Sequence, residues 1–208
     1  VQHPPDGQAI DIGVDQHLGQ GDWSAGELAD LLAADRGRRH GSPEAPLRVE
    51  LVVDFTCPHC AAVWPDLNRD LFSLADAGRV QVVVRPTAGP HHPTAQRLAL
   101  LAHAAAIAGR QRGFLLVAVG QKEGLPPNLP DQVQAGDLVA LVDGVSARPL
   151  ARLYALDQAQ VRRWGAHVGD TPQVLVFRRG EARPFQTWRG EAEVLAHLPE
   201  LRAEAQAR

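Results

Sequence analysis

Five of the eight positions from 48 to 55 are apolar, Val49, Leu51, Val52, Val53 and Phe55, a density that fits a central strand covered on both faces. Directly after it the spacing lengthens to a helical stripe of Ala61, Ala62, Trp64, Leu67, Leu71, Phe72 and Leu74, ending near Gly78. Pro65 inside that stripe predicts a kink, because its ring removes an amide and crowds the carbonyl of Ala61. Residues 80–84, rich in Val, form a second strand stopped by Pro86. A β-α-β unit this short predicts a parallel pair with a right-handed crossover.

Upstream, residues 1–22 show no sustained period and carry Pro, Gly and Asp, so an extended segment is expected there. Ser24 and Glu27 have capping-box spacing, and Leu28, Leu31 and Leu32 behind them make a short amphipathic helix to about Asp35. Residues 36–46, with Gly37, Gly41, Pro43 and Pro46, read as a loop. Downstream, residues 94–108, 113–121, 135–142, 148–156 and 158–168 favour helix, and the Pro-rich stretch 124–130 is a loop between them. Within the first of these, Leu98, Leu101, Ala102 and Ala105 form the stripe expected to face the core. Residues 173–178 and 184–188 then make an antiparallel hairpin about the turn at 179–181, and 191–207 closes the chain as a helix containing Pro199. The reading is an α/β chain ordered β-α-β, helical insertion, β-β-α. Its expected divisions are an N-terminal extension (1–46) with one short helix, a sheet-forming unit (47–90 and 169–208) and an all-helical insertion (91–168).

Composition narrows the function classes. The 208 residues are 45% hydrophobic and 22% charged, enough for one good core, and the net charge is −3. Lys122 is the single lysine, so Arg supplies the other 20 of the 21 basic residues, and these are scattered rather than clustered. No basic face for nucleic acid follows. The longest apolar stretch, 98–109, is interrupted by His103 and falls short of the roughly 18 residues a membrane span needs. The chain holds no Met, even at position 1, which predicts that a leader has been removed.

The only two cysteines are Cys57 and Cys60. A bridge between them closes a four-residue loop and adds only about 2 kcal/mol of chain-entropy stabilisation, a weak staple. As a reactive pair they are far better placed. A Cys at the junction of a buried strand and a helix puts its sulfur at the positive end of the helix dipole, which stabilises the thiolate. Pro58 suits the first helical turn, where its missing amide costs nothing. A protonated His59 would add positive charge beside the Cys57 sulfur, and Cys60, one turn in, would be the buried resolving thiol.

The strand followed by Cys57-Pro58-His59-Cys60, Pro65 eight residues past Cys57, the helical insertion, and Thr171-Pro172 at the third strand together resemble the DsbA family of thioredoxin-fold thiol:disulfide oxidoreductases. The resemblance spans residues 47–207. It implies a thioredoxin-like fold with an inserted helical subdomain, and an oxidase that donates the Cys57–Cys60 disulfide to reduced exported proteins in the periplasm or another extracytoplasmic space. A membrane quinone-linked reoxidase would restore the bridge. No cofactor, metal or nucleic acid is implied, and a monomer is expected. Pro172 would be the cis-proline facing the site, with Thr171 offering backbone hydrogen bonds to substrate. The position six before the first Cys, where such oxidants often carry a buried acid, is Leu51 here. Asp54 is the nearer candidate proton acceptor, with Glu50 on the same strand face.

Other readings of these residues stay open. Zinc held by the cysteines with His59, His91 or His92 lacks a second cysteine pair and the right local setting. Asp54 could equally cap the Cys57 helix. Trp64 and Trp164 read as core or rim aromatics, and His91 and His92 as flanking the helix after Pro93. A reductase or isomerase would use the same pair. A chaperone-like module would bind unfolded segments around Pro172 without redox work.

Overall fold

The computed structural model describes residues 23–89, 92–119, 147–164 and 170–207. The segment 1–22, His91, the loop at 124–130 and the helix expected at 135–142 lie outside the described residues. In chain order the elements are α1 (Ala25–Gly37), β1 (Arg39–His40), β2 (Leu47–Val53), α2 (Pro58–Asp76), β3 (Val80–Pro86), α3 (Pro93–Ile107), α4 (Gln111–Ala118), α5 (Ala147–Arg163), β4 (Gln173–Arg178), β5 (Gln186–Arg189) and α6 (Gly190–Ala207).

The dense apolar run takes a central place because both its faces are covered. β2 pairs parallel with β3, Leu47 opposite Val80, and antiparallel with β4, Leu47 opposite Arg178. The sheet order is β1-β3-β2-β4-β5. Side chains alternate across a strand, so Leu47, Val49, Leu51 and Val53 enter the main core with Val63, Trp64 and Leu67 of α2 and Val194 and Leu198 of α6. Val52 points the other way, toward Val161, Leu175, Phe177 and Trp164. The stripe Leu98, Leu101, Ala102 and Ala105 of α3 is buried in the main core. An adjoining side of α3 meets α1 and α5 through Ala106, Leu31, Ala34 and Leu153.

Three expectations need correcting. Residues 36–46 are not all loop, because Arg39 and His40 pair antiparallel with Val83 and Val82 as an edge strand. Two polar residues are too short a run to show a period. β3 runs two residues past the expected 84 and stops at Pro86 itself, paired opposite Val53, whose carbonyl accepts from the Thr87 N–H at 2.8 Å. The helices expected at 148–156 and 158–168 are joined through Asp157 into one helix, α5, which ends at Arg163, while 165–168 lie outside the described residues. The apparent break is Asp157, which is 0% exposed and held by buried Arg38 and Arg85, not turned to water.

That charge cluster lies on the Glu50–Val52 face of the sheet. Asp35 pairs with Arg38 at 2.7 Å and Arg39 at 3.0 Å, while Glu50 pairs with Arg85 and, at 3.3 Å, Arg48. α1, which the sequence assigns to an N-terminal extension, is thereby tied to the sheet and to α5. α2 runs from Pro58 to Asp76 through Pro65. Its first turn carries the cysteines.

Candidate active site

The turn after β2 sets the position of Cys57. Asp54 Oδ1 accepts from the Thr56 N–H at 2.8 Å and the Thr56 hydroxyl at 2.7 Å, and the Asp54 carbonyl accepts from the Cys57 N–H at 3.1 Å. Asp and Thr favour such local side-chain turns. Cys57 is then the N-cap of α2, with extended φ −80° and ψ 120°, and Pro58 enters the first turn. Cys60 falls one turn further, at 1% exposure inside the main core, whereas Cys57 is only partly buried against that core's edge. One sulfur is open to solvent and the other is sealed.

Their acidities are split accordingly. Cys57 is lowered to about 5, first by the Cys60 S–H donating to its sulfur, then by the Thr171 hydroxyl and the backbone N–H groups of Cys60 and His59, against the opposing effect of burial. Cys60 is pushed far up, chiefly by burial and then by the neighbouring Cys57 thiolate. Opposed shifts of this kind mark a pair in which one group carries charge and its partner holds a proton. The arrangement can form a thiolate nucleophile at Cys57 near neutral pH and keep Cys60 as a neutral thiol.

From the far end of the chain, Thr171 reaches this sulfur. The Thr171–Pro172 peptide bond is cis, and the Thr171 carbonyl lies 3.4 Å from Cys57 Sγ, where it accepts from the S–H of the protonated thiol. The Pro172 carbonyl accepts from the Gly190 N–H at 2.8 Å, which ties this loop to the start of α6. His59 is exposed, and its Nδ1 lies 3.0 Å from Glu191 Oε2. Glu191 and then Cys57 raise the His59 pKa.

Cys57, Pro58, His59, Cys60, Thr171 and Pro172 thus converge. Asp54 is 8% exposed and adjacent to them, but its carboxylate is engaged by Thr56, as a turn-former would be. Glu50 is not brought to the cysteines. Its carboxylate is held by Arg85 and Arg48 on the sheet face opposite Cys60. Trp64 is buried in the core, and Trp164 meets Phe177 edge-on at 5.2 Å. His92 is an exposed residue at the start of α3. Sequence reasoning missed Glu191, because an acid in the first turn of a helix reads as a complement to the helix dipole. Among the described residues no three His, Cys, Asp or Glu side chains are grouped so as to hold a metal ion, and no helix is long and apolar enough to cross a membrane.

Comparison with known proteins gives the following. The family model described as Thioredoxin matches residues 34–163. No curated relative matches the chain in sequence. Among solved structures, a thioredoxin-like oxidoreductase from Silicibacter pomeroyi DSS-3 is similar at TM-score 0.63 and 20% identity, covering 86% of this chain and 98% of its own. A periplasmic thioredoxin-like protein from Salmonella enterica serovar Typhimurium gives TM-score 0.61 at 16% identity, covering 90% of this chain and all of its own at 100%. DsbA2 of Pseudomonas aeruginosa gives 0.54 at 21% identity, with 79% and 93% covered.

Proposed function

This chain belongs to the thioredoxin family, and from that premise we propose that it is a thiol:disulfide oxidoreductase working as an oxidase on proteins outside the cytoplasm. The observation that carries the reading is the split between Cys57, lowered to about 5, and buried Cys60, pushed far up. A substrate thiolate attacks Cys57 Sγ of the bridged form, the Cys57–Cys60 bond breaks, and Cys60 takes up a proton in the core. A second substrate thiol, losing its proton to solvent, then attacks the substrate sulfur of the mixed disulfide and displaces Cys57 as a thiolate. Two electrons pass to the protein, and the substrate leaves as a disulfide. Departure of Cys57 is favoured because a thiol of low pKa is a good leaving group.

Thr171 and Pro172 would dock the substrate backbone beside Cys57, and Asp54, next to the motif, is the proposed proton acceptor for Cys60 when the bridge is re-formed. An exported location follows from the chemistry, since an oxidant is useless in a reducing cytosol. Similarity of fold to a periplasmic thioredoxin-like protein and to DsbA2 supports the same placement. The substrates would be reduced exported proteins, the electrons would leave through a membrane quinone-linked reoxidase, and the protein would act as a monomer.

The test is the equilibrium of the Cys57–Cys60 couple with glutathione, together with transfer of the bridge to a reduced, unfolded protein. A potential near about −120 mV, with transfer abolished in Cys57→Ser, is expected for an oxidase. A potential near about −270 mV would make the protein a reductase instead. Substrate binding that survives Cys57→Ser, with no transfer by the parent protein, would make it a binding module.

A further inference from the structure

Contacts around Cys57 close into a ring that runs through three distant segments. Cys57 Sγ meets the Thr171 carbonyl at 3.4 Å, the next carbonyl along, that of Pro172, takes the Gly190 N–H at 2.8 Å, and Glu191 reaches back to His59 Nδ1 at 3.0 Å. α6 has two acids in its first turn. Glu193 serves the helix itself, its Oε2 accepting from the Arg189 N–H at 2.7 Å. Glu191 points instead across the site to the histidine between the two cysteines.

We propose that Glu191 is a positioning residue that holds His59 by Nδ1 beside Cys57, so that the histidine charge supports the Cys57 thiolate of the reduced site. The inference rests on reading Cys57–Cys60 as the exchanging pair. A carboxylate at hydrogen-bond distance favours the imidazolium, and an imidazolium favours a neighbouring thiolate. The groups acting on His59 are Glu191, from α6, and Cys57, at the head of its own helix. Glu191 therefore acts on the sulfur in two opposed ways. Its own negative charge disfavours the thiolate at every pH, whereas its hold on His59 favours it only where His59 would otherwise lose its proton.

The opposition gives a signature in pH. Near pH 6 His59 is largely charged with or without Glu191, so its removal takes away only an anion. Near pH 8 the same removal also lowers the fraction of His59 that is charged. Both side chains are solvent-exposed, at 66% and 40%, which limits the pair to a few-fold effect that salt weakens.

The experiment compares the parent protein with Glu191→Gln and Glu191→Asp, following the His59 ring by NMR titration of the reduced protein and measuring the equilibrium with glutathione at pH 6 and pH 8. The expected result is a His59 midpoint lowered in Glu191→Gln and partly restored in Glu191→Asp. With it should come an oxidising equilibrium constant reduced about two- to fivefold at pH 8 and not reduced at pH 6. An unchanged His59 midpoint, or an equal loss at both pH values, would overturn the proposal. Failure of the oxidoreductase reading looks different: neither protein would exchange with glutathione, while the Glu191→Gln shift in the His59 midpoint would persist and support the pairing alone.

Discussion

At the scale of single residues, the proposed chemistry turns on Cys57 carrying charge only when the bridge is open. Its folded pKa, about 5, lies below the value near 8.5 of an unfolded cysteine. A group so depressed adds stability in full above the unfolded pKa and loses it as pH falls through the folded one. At pH 7 the two-unit interval down to 5 is worth at most about 3 kcal/mol, and roughly 1–2 kcal/mol once screening at a half-open site is allowed for. The bridged form has no thiolate, and its loop-entropy gain does not change with pH. The melting temperature of the reduced protein, measured relative to the oxidised one, should therefore rise by a few degrees between pH 4 and pH 7, in step with thiolate ultraviolet absorbance. A gap that stays constant would show that Cys57 is not ionised at neutral pH.

Between elements, packing is decided where helices touch without side chains. A Cβ added at Gly37, the last residue of α1, would lie 1.7 Å from the carbonyl oxygen of Ala106 in α3. Neither backbone can rotate aside, so the helices must separate. Gly37→Ala should cost about 1–3 kcal/mol by denaturant unfolding, in the range of overpacked cores. Gly113, exposed in α4 with nothing within 4 Å of its added Cβ, is the control. Ala there should gain up to about 1 kcal/mol from helix propensity. Equal effects at the two positions would mean that α1 and α3 are not in backbone contact. In the sequence Gly37 looks like any loop glycine, whereas the capping box of Ser24 and Glu27 could be read directly and forms as written, Glu27 N–H to Ser24 Oγ at 3.2 Å.

For the whole molecule, the buried charges join parts that periodicity treats as separate. Asp157 of α5 binds Arg38, which follows α1, and Arg85 of β3, and Arg85 also holds Glu50 of β2. These two guanidiniums hold the Asp157 carboxyl below its ordinary value despite its complete burial. His103 lies 3.4 Å away, but burial pushes it to about 4 and leaves it neutral. Asp157→Asn would leave two buried cations short of an anion and should lower global stability by about 3–5 kcal/mol, measured by denaturant unfolding. A loss below about 1 kcal/mol would mean that water reaches the cluster and that α1 is not locked to the insertion.

Local pattern in the sequence already carried the β-α-β order, the closing hairpin, the inward stripe of α3 and the place of the two cysteines at the end of β2. Each of these is local: a period reports which side of an element is buried, and four consecutive residues suffice to place a sulfur at a helix start. Tertiary structure alone decided that residues 39–40 join the sheet, that Asp157 is a mid-helix anchor, that Glu50 belongs to arginines, and that Glu191 meets His59. Those partners stand as far apart as 132 positions in the chain. A polar residue's own neighbours in sequence do not say whether it ends in water or opposite a counter-charge, because that depends on which elements pack together and on where the buried charge must be balanced.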